Sequence, residues 1–266
     1  MDRQVVTQRE VEELVAAISA KVARQSSTLS GGLGPVVEGS ASKSALAGLM
    51  DHTLLRPEAT RAEVEQLCDE ALRADFRAVC VNPGWVPVAA RRVRGSRVRV
   101  ATVAGFPFGA TSTAAKRAET ETAILGGAHE VDMVMNVGAM RSGDFVRVEY
   151  DVRGVAEVCQ RARVVLKVIL ENGYLSDPQK VAACEIVKRA GADFVKTATG
   201  FGPRGATEAD VRLMRQTVGP GMGVKAAGGI RTLSDALRML QAGATRLGTS
   251  ASLSILEEAT KLGAGD

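Results

Sequence analysis

From about residue 46 onward the chain alternates between short apolar, β-branched runs and longer stretches of helical period. Eight runs read as strands: residues 48–52, 78–82, 98–104, 130–136, 164–170, 194–199, 223–227 and 245–248. Between them, segments such as 61–73, 113–125, 181–189, 208–217 and 233–240 space apolar residues three and four apart, the period of a half-buried helix. The unit of one strand and one helix recurs roughly every 28 residues. Its punctuation recurs too. Gly127, Gly191 and Gly243, each followed by Ala, stand where a helix ends and a strand opens, the usual place for a C-cap glycine. Ser112, Thr207 and Thr232 stand where N-caps belong, and Asp210 and Asp235 follow the two threonines by three residues. Strands alternating with helices predict a parallel sheet. Eight such units favour closure into a (β/α)8 TIM barrel. No G-x-G-x-x-G follows the first strand, which argues against an open dinucleotide-binding sheet.

The first 45 residues follow another pattern. Val11, Leu14, Val15, Ile18 and Val22 form one apolar stripe of a helix, and SSTLSGGLGPVVEGSAS after it reads as a flexible linker. The expected organisation is an N-terminal helical extension with its linker, residues 1–45, and a barrel domain, residues 46–266. An appendage helix packed on the domain or on a sister subunit is expected there.

Composition narrows the function. The 266 residues carry 34 Lys+Arg against 30 Asp+Glu, a net charge of +4 spread along the chain. That suits an anionic small molecule and gives little for nucleic acid, and aromatics at 3% provide no stacking platform for single strands. Cys68, Cys80, Cys159 and Cys184 form no C-x-x-C pair and read as reduced thiols of a cytoplasmic protein. His52 and His129 are too few for a histidine-rich metal site, and no metal or cofactor is expected. No secretory h-region opens the chain, and no run of 18 apolar residues suggests a membrane span.

The chemistry should sit where polar residues interrupt apolar strands near their C-terminal ends. Four do so: Asp132 in HEVDMVMN, Lys167 in VVLKVILEN, Lys196 in DFVKTATGF and Lys225 in GVKAAGGIR. Lys167 to Lys196 and Lys196 to Lys225 are each 29 residues, one unit apart, so the three lysines are expected at similar levels of adjacent strands. A single lysine could point outward between strand and helix, or pair with Asp132 or Glu171. Three in register point into the barrel. Clustered ammonium groups lower the pKa of at least one of them. A neutral amine can form a Schiff base with a carbonyl, and Asp132 can move protons to and from the adduct. This is class I aldolase chemistry. Gly228 and Gly229 after the seventh strand, and Gly248 and Ser250 around the end of the eighth, match the usual phosphate cradle of a barrel, with Thr199 and Gly200 extending it. His52, adjacent to Asp51, faces the other way from it and is expected to be structural, with Asp51 as polar support. His129 is expected at the surface.

These residues also resemble a known family. DHTLL at 51–55, EVDMVMN at 130–136, ADFVKTATGF at 192–201, VKAAGGIR at 224–231 and RLGTS at 246–250 look like deoxyribose-phosphate aldolase, over residues 46–258. The resemblance implies reversible cleavage of 2-deoxy-D-ribose 5-phosphate to D-glyceraldehyde 3-phosphate and acetaldehyde. It implies Lys196 as the Schiff-base lysine, Lys225 as the lysine that tunes it, Asp132 as the proton-transfer residue and Lys167 as a further member of the network. Three positions depart from common family patterns: Ala198 and Ala251 replace serines, and Phe201 stands where some members carry lysine. Two other readings compete. Another barrel phosphosugar enzyme, an isomerase or synthase, would use a carboxylate base and need no set of lysines. A non-catalytic phosphosugar binder would keep the cradle but not Lys196, Lys225 and Asp132 together. The expected partner is a small phosphosugar, and a homo-oligomer would assemble through helices or loops, since a closed barrel offers no free sheet edge.

Overall fold

All eight expected strands form, and they close on themselves. In the computed structural model, which describes residues 39–263 together with Glu13 and Ala16, the strands are β1 Met50–Leu54, β2 Ala78–Val81, β3 Arg99–Ala104, β4 Glu130–Val134, β5 Val165–Ile169, β6 Phe194–Lys196, β7 Gly223–Ala227 and β8 Arg246–Thr249. Each pairs in parallel with the next and β8 pairs with β1, so the sheet is a closed eight-stranded barrel. The surrounding helices are α1 Gly39–Ala47, α2 Arg61–Ala74, α3 Val86–Arg92, α4 Thr113–Leu125, α5 Val137–Arg141, α6 Phe145–Ala162, α7 Asp177–Arg189, α8 Glu208–Val218, α9 Leu233–Gln241 and α10 Ser252–Gly263. The fold is a TIM barrel. Its main core lies between sheet and helices, where the β-branched outward residues of the strands, Val79, Val131, Val168, Val195 and Val224 among them, are fully buried.

Local signals act as expected. Ser112, Thr207 and Thr232 accept hydrogen bonds from the backbone N–H groups of Ala115, Asp210 and Asp235, and Thr232 with Asp235 completes a capping box. These caps fix the first turn of each helix, so the preceding loop leaves the strand end in one direction. β1 begins two residues later than expected, because Gly48 and Leu49 form a turn after α1. The end of the expected linker is instead helical in α1, which packs against α10 with Leu46 and Ala47 fully buried. Ala47 O accepts from Arg77 N at 3.1 Å and Leu49 O from Leu247 N at 2.8 Å, so this segment joins the N-terminal end of the barrel. The stripe residues Val11, Leu14, Val15, Ile18 and Val22 lie outside the described residues.

Candidate active site

Side chains that alternate inward on the strands put charge, not hydrocarbon, at the centre of this barrel. Asp132 is third in β4, Lys167 third in β5, Lys196 last in β6 and Lys225 third in β7. Asp132 Oδ1 accepts from Lys167 Nζ at 2.7 Å, and Oδ2 accepts from both Lys196 Nζ and Lys225 Nζ at 2.8 Å. One fully buried carboxylate therefore gathers all three lysines. The three are not at one level, however. Lys196 pairs with Lys225 across β6 and β7, whereas Lys167 pairs with Phe194, two residues before Lys196. Equal sequence spacing does not give equal height, because β5 and β6 are offset in register. Lys167 consequently lies beneath the other two, level with Asp132.

Charges this deep are stable only when paired and hydrogen-bonded. The lower pairs meet that condition. Lys167 Nζ also lies 2.6 Å from Glu130 Oε2, Arg246 Nη1 contacts Asp51 Oδ1 at 2.7 Å and Glu130 Oε2 at 2.9 Å, and Lys225 donates to Asp51 as well. The consequences for protonation differ among the lysines. Burial would depress Lys225, but Asp132 and Asp51 hold it above the ordinary lysine value. Lys167 is likewise raised against its burial by Asp132 and Glu130. Lys196 is the exception: burial pushes it down, Asp132 pulls it up, and the Lys225 ammonium adds to the depression. Asp132, despite its burial, is held well below the usual carboxylate range by Lys167, Lys196 and Lys225. The arrangement offers a nucleophilic amine beside a permanent carboxylate and a permanent ammonium.

The loops above β6, β7 and β8 are tied to one another. Ala206 N donates to Gly228 O at 3.0 Å, and any side chain at Gly205 would collide with that oxygen. Thr249 Oγ1 donates to Ile230 O at 2.6 Å, joining the β7 and β8 loops. Gly228 and Gly229 have φ of +89° and +79°, backbone that L side chains rarely adopt. The N–H groups of Gly229 and Ser250 meet no backbone acceptor among the described residues, and exposed Ser250 precedes the first turn of α10. Gly200 stands beside them after β6, with open space where a side chain would lie.

Two expected cradle residues have other work. The Thr199 hydroxyl donates to Glu171 and accepts from Phe201 N at 3.0 Å, so it shapes the loop from inside. Gly248 lies within β8 rather than in the loop after it. A Cβ there would sit 2.9 Å from Lys225 Cε, so its missing side chain makes room for the lysine. Phe201 is about half exposed and meets Phe106 edge-on at 5.4 Å, giving the mouth an aromatic wall.

His52 points out of the barrel, with Nε2 2.8 Å from Glu70 and its ring against Phe76, and Asp51 points in, as their alternation required. His129 is exposed and its Nδ1 accepts from Val100 N at 3.1 Å. Sequence reasoning missed Glu130 and Arg246, and it considered Glu171 only as a lysine's ion-pair partner, whereas the structure sets it against Thr199. The first two carried a usable signal: Glu130 is two residues before Asp132 and Arg246 two before Gly248, so each shares the inward face of its strand. Glu171 follows β5 with φ +54° and accepts from Thr199, a placement that follows from the loop conformation rather than from strand alternation.

The profile of the DeoC/LacD family aldolases matches residues 45–258. A protein of Clostridium perfringens named deoxyribose-phosphate aldolase is 51% identical over 215 residues, covering 81% of this chain and 96% of the relative. One of Carboxydothermus hydrogenoformans with the same name is 51% identical over 218 residues, with the same coverage. Among solved structures, the tetrameric deoxyribose phosphate aldolase of Aeropyrum pernix superposes with a TM-score of 0.78 at 34% identity, covering 84% of this chain and 94% of that one.

Proposed function

The chain belongs to the DeoC/LacD aldolase family, and from that premise we propose that it cleaves 2-deoxy-D-ribose 5-phosphate reversibly to D-glyceraldehyde 3-phosphate and acetaldehyde, through a Schiff base on Lys196. One observation carries the reading: a buried lysine whose pKa is depressed shares a single carboxylate oxygen, Asp132 Oδ2, with a lysine held cationic. A carboxylate-base isomerase would have no use for that pairing.

In the proposed reaction the neutral Lys196 amine adds to the C1 aldehyde of the open-chain sugar. The carbinolamine loses water to give a protonated imine. A base then takes the C3 hydroxyl proton, the C2–C3 bond breaks and its electron pair moves into the imine, leaving an enamine and releasing D-glyceraldehyde 3-phosphate. Protonation of the enamine at C2 and addition of water free acetaldehyde and the amine. Asp132 is already ionised, so it is suited to accept protons and return them, directly or through water. Lys225 stays cationic and donates hydrogen bonds to oxygens as they leave or develop charge. Lys167 anchors the other oxygen of Asp132, which fixes the carboxylate's direction. Gly200, Gly228, Gly229 and Ser250 are assigned to the phosphate, by backbone N–H groups and the α10 N-terminus.

Assembly as a homo-oligomer and residence in the cytoplasm belong to the same reading. The four cysteines are free and buried, which suits a reducing compartment, and no helix among the described residues is long and apolar enough to cross a membrane.

The test is chemical capture. Acetaldehyde with borohydride is expected to leave one ethyl group on Lys196, located by peptide mass mapping. Lys196→Ala is expected to abolish both capture and cleavage, a loss of several orders of magnitude. An unlabelled wild-type protein, or an active Lys196→Ala variant, contradicts the assignment.

A further inference from the structure

Below the lysines named so far lies a second layer of charge that the proposed reaction does not use. Asp51, Glu130 and Arg246 come from the early positions of β1, β4 and β8, and all are at least 95% buried. Taken with Asp132, Lys167, Lys196 and Lys225 they form one continuous cluster of seven ionisable groups. Partners are unevenly shared within it. Lys167 lies within 4 Å of three carboxylates, Glu130, Asp132 and Asp51. Lys225 contacts two, Asp51 and Asp132, and Arg246 contacts two, Asp51 and Glu130. Lys196 has one, and shares that same oxygen with Lys225.

We propose that Asp51, Glu130 and Arg246 are positioning residues that set the charge of Lys196: with Lys167, Lys225 and Arg246 cationic and three carboxylates ionised, the enclosed cluster is neutral only when Lys196 is an uncharged amine. In a low-dielectric interior a net charge is costly, so the proton is released from the cation with the fewest carboxylate contacts. The depression of Lys196, alone among these four cations, agrees with this count. The groups that act directly on Lys196 are Asp132 from β4, Lys225 from β7 and the Cys80 thiol from β2, and Glu130 from β4, Lys167 from β5, Arg246 from β8 and Asp51 from β1 complete the cluster behind them. Burial holds Cys80 above its ordinary value, so it contributes no charge. Arg77 lies 3.9 Å from Glu130, but it is about a quarter exposed and water screens it.

The count makes the lower layer a control with a sign. Removing the Arg246 cation leaves the cluster negative and favours the Lys196 ammonium. Removing the Asp51 or Glu130 anion leaves it positive and disfavours that ammonium. A residue that merely stiffened the barrel would not shift the titration in opposite directions according to its own charge.

The proposal rests on Lys196 being the imine-forming lysine, so the experiment has two arms. In the first, wild-type protein is trapped with acetaldehyde and the ethylated lysine is mapped; an ethyl group at another lysine removes the premise itself. In the second, the initial rate of trapping by cyanoborohydride at sub-saturating acetaldehyde is followed between about pH 6 and pH 10. The midpoint of that curve is read for each variant against wild type. Arg246→Met is expected to move the midpoint up by about one pH unit, and Asp51→Asn and Glu130→Gln to move it down by a similar amount. That is the scale of a unit charge roughly 10 Å away at an effective dielectric constant of about 20. Arg246→Lys, which keeps the charge, is expected to hold the wild-type midpoint. Midpoints that stay put while rates fall, or that all move the same way, overturn the proposal. Where Arg246→Met does not fold, Glu130→Gln decides: a midpoint that is unmoved or raised is equally fatal.

Discussion

At the scale of single residues, charge and shape can be separated at Lys225. Its ammonium is one of the forces depressing Lys196, after burial, while Asp132 opposes both. Lys225→Leu removes that cation, so the Lys196 pKa rises toward the ordinary lysine value of about 10.4. The amine is then neutral only at higher pH. The acid limb of kcat/KM is expected to move about one unit alkaline, with partial recovery of rate in alkali; a profile of unchanged shape contradicts the tuning role. Gly248→Ala tests the same lysine sterically. The added Cβ would lie 2.9 Å from Lys225 Cε, so the side chain must move. A fall of roughly tenfold in kcat is expected, with KM nearly unchanged, since small misplacements of reacting groups cost rate. Gly229→Val should behave in the opposite manner. Its position has φ +79° and open space around it, so the valine strains the loop without touching the lysines. KM for deoxyribose 5-phosphate is expected to rise much more than KM for unphosphorylated deoxyribose, and equal losses would show that Gly229 does not serve the phosphate. Much of this site was legible in the sequence, because a polar residue inside an apolar strand has few places to go but the barrel interior. Glu130 and Arg246 escaped because each opens its strand, where a charged residue reads as the edge of a loop.

At the scale of elements, the β6 loop owes its shape to a buried carboxylate. Glu171 Oε2 accepts from the Thr199 N–H at 3.2 Å and from its hydroxyl, and the Glu171 carboxylate fills the space a side chain at Gly202 would need. Glu171→Ala leaves both Thr199 donors without that acceptor and opens a void beside Gly202. KM for the phosphorylated substrate is therefore expected to rise severalfold, with a smaller change in kcat; the reverse pattern in steady-state kinetics would place Glu171 in the chemical step. The strands and their order were legible because each carries a β-branched outward face against helices of clear period, bounded by caps such as Thr207 and Thr232. Lys167 shows where that legibility ended. Sequence spacing counts residues along a strand–helix unit, but height in a barrel depends on the register between neighbouring strands, which no spacing encodes. The end of the linker shows another limit. Gly39–Ala47 has Leu46 as its one large apolar side chain among serines and alanines, and its helix is supported by burial of Leu46 and Ala47 beside α10, a contact far along the chain.

At the scale of the molecule, the question is how much of the chain the barrel needs. The Clostridium perfringens relative aligns over 96% of its own length with only 81% of this chain, and the family profile begins at residue 45. All eight strands and every residue assigned to the site lie beyond that point. We therefore propose that residues 46–266 carry the catalysis and that the preceding segment is an appendage to it. The boundary for a cut is nevertheless set by α1, not by the family match. Leu46, Ala47 and Leu49 are buried against the barrel's N-terminal end, and Ala47 and Leu49 accept hydrogen bonds from Arg77 and Leu247 in the strand-entry segments of β2 and β8. Removing residues 1–38 keeps these contacts and is expected to leave kcat, KM and the melting temperature close to those of the full chain. Removing residues 1–49 strips three buried apolar side chains and leaves two backbone donors without their acceptors. Each buried side chain contributes about 1–3 kcal/mol and each lost buried hydrogen bond about 1 kcal/mol, a large part of the stability of an ordinary domain. A pronounced drop in melting temperature, or insoluble protein, is expected from the longer cut. Thermal unfolding and steady-state kinetics of the two truncations decide it: an inactive or insoluble 39–266 protein would show that the first 38 residues complete the barrel or an obligate interface, and a fully stable 50–266 protein would show that α1 contributes nothing to its base.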